Sequence, residues 1–197
     1  QRLPSYALSD PNGPDHSSAY QLEQNFLNDG QIDWERILDA NLTNNISNQH
    51  AAYALYEDRS DDKQLTINSI LISELNENIL LNAAVNYKTL ESENFGEIIN
   101  VLGSNTGVFN VDSFDYYQYD SQNPNRVVGK GDKYRYNYNL TADVISAYAQ
   151  AQFKYNKVDF YVSGSVTNTT YQRDGLWEHS RFPGAASFGK GEKLSFT

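Results

Sequence analysis

Residues 147–166, "AYAQAQFKYNKVDFYVSGSV", alternate apolar with polar side chains, pause at Asn156 and Lys157, and alternate again. Successive side chains of a strand point to opposite faces. Ala147, Ala149, Ala151, Phe153 and Tyr155 therefore share one face, opposed by Tyr148, Gln150, Gln152 and Lys154. Beyond the pause, Val158, Phe160, Val162, Gly164 and Val166 oppose Asp159, Tyr161, Ser163, Ser165 and Thr167. A two-residue hairpin loop at 156–157 pairs Tyr155 with Val158, Phe153 with Phe160, Ala151 with Val162 and Ala149 with Gly164, so that all the apolar residues fall on one side. A slip of one residue would scatter them, which specifies the register. Asn-Lys is not the favoured Asn-Gly turn, so the alternation carries this assignment.

The same design occurs upstream. In "QLTINSILISELNENILLNAAVNYKTLESE", Leu65, Ile67, Leu71 and Leu75 share a parity, and Ile79, Leu81, Ala83, Val85 and Tyr87 follow after a pause. A three-residue loop at 76–78 pairs Leu75 with Ile79 and Leu71 with Ala83. In "KYRYNYNLTADV", Tyr134, Tyr136, Tyr138, Leu140, Ala142 and Val144 alternate with polar residues. The apolar parity then changes at Ile145 and Ser146, which predicts a β-bulge or slip there. "KLSFT" starts a further strand. Two short helices are predicted before the strands: one over 18–27 opened by a Ser18/Gln21 capping box, one over 33–42 capped by Asp33.

Composition narrows the classes. Apolar residues make up only 39% of the 197, and 15 Tyr and 9 Phe are a large share of the bulky side chains, poor stock for an ordinary interior. A formal charge of −10 with no basic stripe argues against nucleic acid. The absence of Cys removes disulfides and thiolate chemistry. No Met is present, not even an initiator, so the chain reads as a processed product or a segment of something longer. No apolar run approaches the ~20 residues of a spanning helix, which leaves a membrane barrel open.

Connections alternate in length. The turns at 76–78 and 156–157 are minimal, whereas 1–62, 94–132 and 173–192 are long, the first opening on the Pro4, Pro11, Gly13 and Pro14 punctuation. Long connections are uncommon in compact domains but regular on one side of outer-membrane barrels. Tyr87, Tyr134, Tyr136, Tyr155 and Tyr171 fall near strand ends, where aromatic girdles sit. The segments "QLTINSILISELNENILLNAAVNYKTLESENF", "NPNRVVGKGDKYRYNYNLTADVISAYAQAQFKYNKVDFYVSGSVTNTTYQRDGLW" and "GKGEKLSFT" resemble the barrel of Bacteroidota TonB-dependent outer-membrane receptors. "AYQLEQNFLNDGQIDWERILDANL" and "AAYALYEDRSDDKQ" resemble an extracellular insertion of the same proteins.

The resemblance implies an all-β fold: a segment of an antiparallel up-and-down transmembrane β-barrel, with about four full strands and one truncated, in the cell outer membrane. It implies one domain made of an extracellular loop over 1–62 with its helices, a hairpin over 63–93, a loop over 94–132, a hairpin over 133–172, and a loop and strand start over 173–197. The function implied is ligand import driven through TonB, for a glycan, peptide or siderophore. Its partners would be the rest of the barrel, a plug, TonB through the plug, outer-membrane lipid and, as a further option, a surface lipoprotein lid. A secreted or surface β-sandwich that binds ligands and a passive porin-type barrel remain as alternatives.

Chemical signatures are few. His16, His50 and His179 are scattered in loops without metal spacing and read as solvated. Asp112, Asp115 and Asp120 lack the Gly and terminal Glu of a calcium loop. "GKGDK" and "GKGEK" are returns into strands rather than phosphate loops. Asn41, Asn45, Asn139 and Asn168 open glycosylation-type triplets, two of them inside predicted strands. No catalytic, cofactor-binding or metal-ligating set emerges, so the sequence predicts no enzyme. Trp34, Tyr116, Tyr117, Tyr119 and Trp177 are the candidate ligand-binding residues, since aromatic faces beside amides stack on sugar rings. Packing the long loops against each other is the competing role for the same rings.

Overall fold

In the computed structural model, residues 15–28, 30–113, 115–189, 191 and 193–197 are described, so the Pro- and Gly-rich start lies outside them. Helices α1 (His16–Asn28) and α2 (Trp34–Ile46) lead into the long strands β1 (Leu55–Asn76) and β2 (Ile79–Asn100). A short ribbon follows, β3 (Val108–Phe109) with β4 (Val127–Val128). The long strands β5 (Lys133–Tyr155) and β6 (Val158–Gly175), the single turn α3 (Ala185–Phe188) and β7 (Leu194–Phe196) complete the chain. The fold is mostly antiparallel β, with 53% of the described residues in strands against 17% in helices. Its main sheet has the order β1-β2-β5-β6-β7 and is open.

The hairpin read from 147–166 has the expected register, with Tyr155 opposite Val158, Phe153 opposite Phe160, Ala151 opposite Val162 and Ala149 opposite Gly164. The Phe153 and Phe160 rings stack at 4.8 Å. The first hairpin is longer than expected, reaching from Leu55 to Asn100 rather than from 63 to 93. Leu71 faces Ala83, but Leu75 does not pair with Ile79. Asn76 does, and a register shift between Glu74 and Asn76 absorbs the extra residue. The Asn76 carboxamide accepts from Asn78 N–H (2.9 Å), which closes this tighter turn. In the helices, Asp33 caps α2 by accepting from Arg36 N–H at 3.0 Å. The first helix is capped earlier than the Ser18/Gln21 reading: Asp15 accepts from both Ser18 N–H (3.0 Å) and Ser18 Oγ (2.5 Å).

The bulge predicted at Ile145–Ser146 is absent. Pairing runs unbroken from Val144 to Ala147 against both β2 and β6. The irregularity lies instead between Phe95 and Gly96, opposite Tyr134–Asn137, where Arg135 takes a left-handed backbone (φ 69). Asn110 Oδ1 accepts from Arg135 N–H there at 3.0 Å, satisfying a donor the ladder has lost.

An unbroken register means that the apolar residues themselves change face. Paired residues share a face, so the pairing sorts the side chains. Toward the tight turns, one face carries Ile79, Leu81, Ala83, Val85 and Tyr87, then Ile145, Ala147, Ala149, Ala151, Phe153 and Tyr155, then Val158, Phe160, Val162, Gly164 and Val166. Toward the long connections this face turns polar, with Asp61, Lys63, Glu91, Glu93, Asn139, Thr141, Asp143, Thr170, Gln172 and Asp174. The opposite face does the reverse. Toward the tight turns it carries Asn82, Asn86, Gln150, Gln152, Ser163 and Ser165, interspersed with Ile70, Ile72, Leu80, Tyr148 and Tyr161, and toward the long connections it is apolar or aromatic at Leu90, Tyr138, Leu140, Ala142, Val144 and Tyr171. Tyr87 and Tyr155 thus sit at the two ends of the apolar band, whereas Tyr134, Tyr136 and Tyr171 lie on the other face and form no part of a girdle.

Burial follows the same division. Besides Ala19 of α1, the buried apolar residues are Ala51, Phe95, Ile98, Leu102 and Val128, at the end where the long connections lie. Asn41 of α2 anchors that end with 0% exposure. Its Nδ2 donates to the Tyr53, Val101 and Leu102 carbonyls and its Oδ1 accepts from Ala52 and Tyr53 N–H, all within 3.1 Å. This leaves the Asn41 triplet no access for a glycan. Across the apolar band, by contrast, Leu71, Val85, Ile145, Val158, Phe160, Val162 and Val166 are exposed, Val162 by 64%.

Candidate functional site

The connection between β3 and β4 and the one after β6 fold over the same end of the sheet, on the face carrying Tyr138 and Tyr171. They are zipped to each other. Ser121 N–H donates to the Glu178 carbonyl (2.7 Å), Ser180 N–H to the Gln118 carbonyl (2.9 Å), and Gln118 N–H to Ser180 Oγ (2.8 Å). The Glu178 carboxylate accepts from Gly184 N–H and Ser121 Oγ, both at 2.8 Å, which holds its pKa below the ordinary value. Two glycines let the second connection lie flat on β6. A Cβ at Gly175 would run into the Ser187 carbonyl, and one at Gly189 (φ +86) into the Arg173 carbonyl.

This closure builds an aromatic cleft of about 150 Å³ lined by Tyr119, Tyr136, Tyr138, Trp177, His179 and Phe182, with Arg135 and Arg173 at its edges. His179 lies at its centre, 5.4 Å from Phe182, 5.6 Å from Tyr119 and 6.1 Å from Tyr117, ring centre to ring centre. Its Nδ1 accepts from Arg181 N–H at 3.1 Å, which puts the proton of the neutral ring on Nε2. Burial holds His179 below the usual histidine range, against a smaller opposing pull from Asp112. Tyr134 rests edge-on against Tyr119 (5.8 Å) and Tyr56 (5.4 Å), and its hydroxyl is raised by burial. Burial, together with donation to Asp58 Oδ1 at 2.8 Å, pushes Tyr136 up to about 12. Arg135 donates to Tyr56 Oη and lies over the Tyr56 ring.

Next to the cleft, on the same face, is a larger and mainly apolar cavity of about 620 Å³. Its lining includes Leu90, Leu140, Ala142, Tyr171 and Leu194, with Asp62, Ser92 and Arg173 as polar members. Arg173 borders both spaces. Its Nη1 donates to the Ser187 carbonyl at 2.8 Å, and its guanidinium lies 4.7 Å above the Tyr138 ring. Such a volume is in the range that small ligands occupy.

Of the five aromatic candidates, Tyr119 and Trp177 line the cleft and Tyr117 borders it through His179 and Arg181. Tyr116 is 78% exposed on a left-handed backbone (φ 59), and Trp34 opens α2 away from the cleft. The sequence missed His179, Phe182, Arg135 and Arg173. His179 was read as solvated; the signal for it was the aromatic pair Trp177 and Phe182 flanking it. The loop acids have structural tasks. Asp120 accepts from Gln122 N–H (3.2 Å) and Asn123 Nδ2 (2.7 Å), and Asp112 from Asp115 N–H (3.0 Å). Among the described residues, no group of three His, Asp or Glu is placed to hold a metal.

The fold and the cleft define a mostly antiparallel β protein whose long connections enclose an aromatic and arginine-edged recess. No family model, curated protein or solved structure matches the chain.

Proposed function

We propose that this chain forms part of the wall and external loops of an outer-membrane transporter of the TonB-dependent type, with the loop-built recess as the place of ligand capture. The observation that carries the reading is the apolar band toward the tight turns, left without a covering layer among the described residues. A buried Val, Leu, Ile or Phe side chain contributes about 1.5–3 kcal/mol relative to an exposed one. So many on one face call for an apolar surrounding. From Ile145 to Tyr155 the strand rises about 33 Å at ~3.3 Å per residue, and a tilt of ~45° reduces this to about 23 Å, against the ~25 Å band of known barrels. The reverse side of this stretch carries Ser146, Tyr148, Gln150, Gln152 and Lys154, mostly polar as a watery lumen requires. Beyond the band the strands would project into water, where the outward face becomes acidic and amide-rich and the inward face supports the loops.

The sheet edges support the same reading. Among the described residues, β1 offers an unpaired edge and β7 covers Thr169–Tyr171 of β6. Open edges in hydrocarbon leave backbone groups unsatisfied at several kcal/mol each. The strands would therefore continue into further strands until a barrel closes, which takes at least eight.

Cysteine labelling on intact cells tests this in the full polypeptide. With an impermeant reagent, Tyr116→Cys should label directly and Asn156→Cys only after the outer membrane is opened. Direct labelling at both positions, or recovery of the protein in the soluble fraction, would refute it. Uptake that persists after the inner-membrane proton gradient is collapsed would identify a porin instead.

A further inference from the structure

Strand pairing sets opposite charges at the two ends of one row across the larger cavity. Asp62 pairs with Ser92, Ser92 with Leu140 and Leu140 with Arg173. All four point to the face on which the cavity lies, and all four line it. With strands ~4.8 Å apart, the acid and the base stand about 14 Å from each other. The neighbouring row is apolar: Leu90 pairs with Ala142, Ala142 with Tyr171 and Tyr171 with Leu194. Among the described residues, Asp62 and Arg173 are the charged groups lining the cavity. Arg173 is braced by the Ser187 carbonyl and the Tyr138 ring, and a guanidinium has five donors, enough to grip a carboxylate beside the bond it already makes.

From this arrangement we infer that the cavity takes a short apolar peptide with both termini free, its ammonium at Asp62 and its terminal carboxylate at Arg173. An extended chain covers ~3.3–3.6 Å per residue, so three to four residues span the gap between the two charges. Side chains on one side of such a peptide would rest on Leu90, Leu140, Ala142 and Tyr171. Its C-terminal side chain would reach past Arg173 into the aromatic cleft, because Arg173 borders both spaces. A neutral sugar would engage neither charge, and a lone anion would use only one.

The inference rests on the capture role proposed above for this face, but its test is binding and not transport. The probe is the tetrapeptide Ala-Leu-Leu-Ala, compared with its N-acetylated and C-amidated forms by titration calorimetry on the full polypeptide in detergent. Each blocked form loses one charge-assisted hydrogen bond, so each should bind about tenfold more weakly than the free peptide. Asp62→Asn should weaken the free peptide and erase the penalty of acetylation while keeping that of amidation. Arg173→Gln should do the converse, and Arg173→Lys should restore part of the preference for the free carboxylate. Because Arg173 also holds the second connection, retained contact between Ser121 and Glu178, read by protection of the Ser121 amide, verifies that Arg173→Gln is folded. Equal binding of all three peptides, no binding by the unsubstituted protein, or tight binding of a neutral oligosaccharide at this site would overturn the inference. Peptide binding by a protein that is soluble without detergent would keep it while removing the transporter reading.

Discussion

Ala149 lies at the middle of the apolar band, paired with Ala83 on one side and Gly164 on the other. Arginine there would stand among small residues, with its charge at the depth farthest from water on either side of a bilayer. Outer-membrane barrels lose about 2–4 kcal/mol for Arg or Lys at the midplane and about 0–1 kcal/mol near the interfaces. Ala149→Arg should therefore lower folding stability by that larger amount, Tyr155→Arg and Ile145→Arg by much less. Gln150→Arg, one residue on but facing the amide-lined side with Asn82 and Ser163 as neighbours, should be tolerated. The assay is reversible urea unfolding of the full polypeptide in phospholipid vesicles, with the folded fraction followed by tryptophan fluorescence. If the face instead looked into water, Ala149→Arg would fall within the ±0.5 kcal/mol typical of surface substitutions. A flat profile along Ile145, Ala149 and Tyr155, or equal losses at Ala149 and Gln150, would refute the reasoning.

Asn41→Ala should strand the Ala52 and Tyr53 N–H groups and cost about 1–3 kcal/mol for each one left buried. Faster amide exchange at Ala52 and Tyr53 would register it. Gly175→Ala should lift the second connection off β6 and break the Arg173–Ser187 bond, seen as new protease cleavage within 176–189. His179 binds its proton less tightly folded than unfolded, so its packing contributes fully above about pH 6.5 and is lost as pH falls below that value. An NMR titration of the His179 ring should therefore show loop opening on acidification, and His179→Phe should remove it. Tyr136 has the opposite sign: raised to about 12, it stabilises the loop end below about pH 10, and this is lost between about pH 10 and pH 12. An absorbance titration should show a tyrosine that ionises near pH 12 and vanishes in Tyr136→Phe.

Much of the sheet was legible because period-two alternation and a tight turn constrain each other. The Tyr155–Val158 hairpin is fixed by both, and its register could be written from the residues alone. The turn at 76–78 was less legible, since Leu75 fits the apolar parity while the backbone bulges to bring Asn76 opposite Ile79. Alternation reports which side chains share an environment, and a bulge next to a turn alters that by a single residue. The cleft was only partly legible for a related reason. Tyr119 and His179 meet through backbone hydrogen bonds between two connections that carry no periodicity, so their proximity left no mark on the sequence.

The change of parity at Ile145 is plain in the sequence, but it marks no bulge, for a physical reason. Alternation fixed to the backbone would turn a break into an extra residue. With the register unbroken, the break belongs to the surroundings: below Ile145 the apolar side chains point to the uncovered face, above it to the face beneath the connections. β2 changes at the same level, where Tyr87 closes one series and Leu90 opens the other, and β6 does so between Val166 and Tyr171. A bulge in one strand would shift that strand alone. Three neighbouring strands changing face at one height require a boundary that crosses all of them, a plane set by what lies against the sheet. Its height, at Tyr87 and Ile145, is where the depth series of arginine substitutions should pass from costly to tolerated.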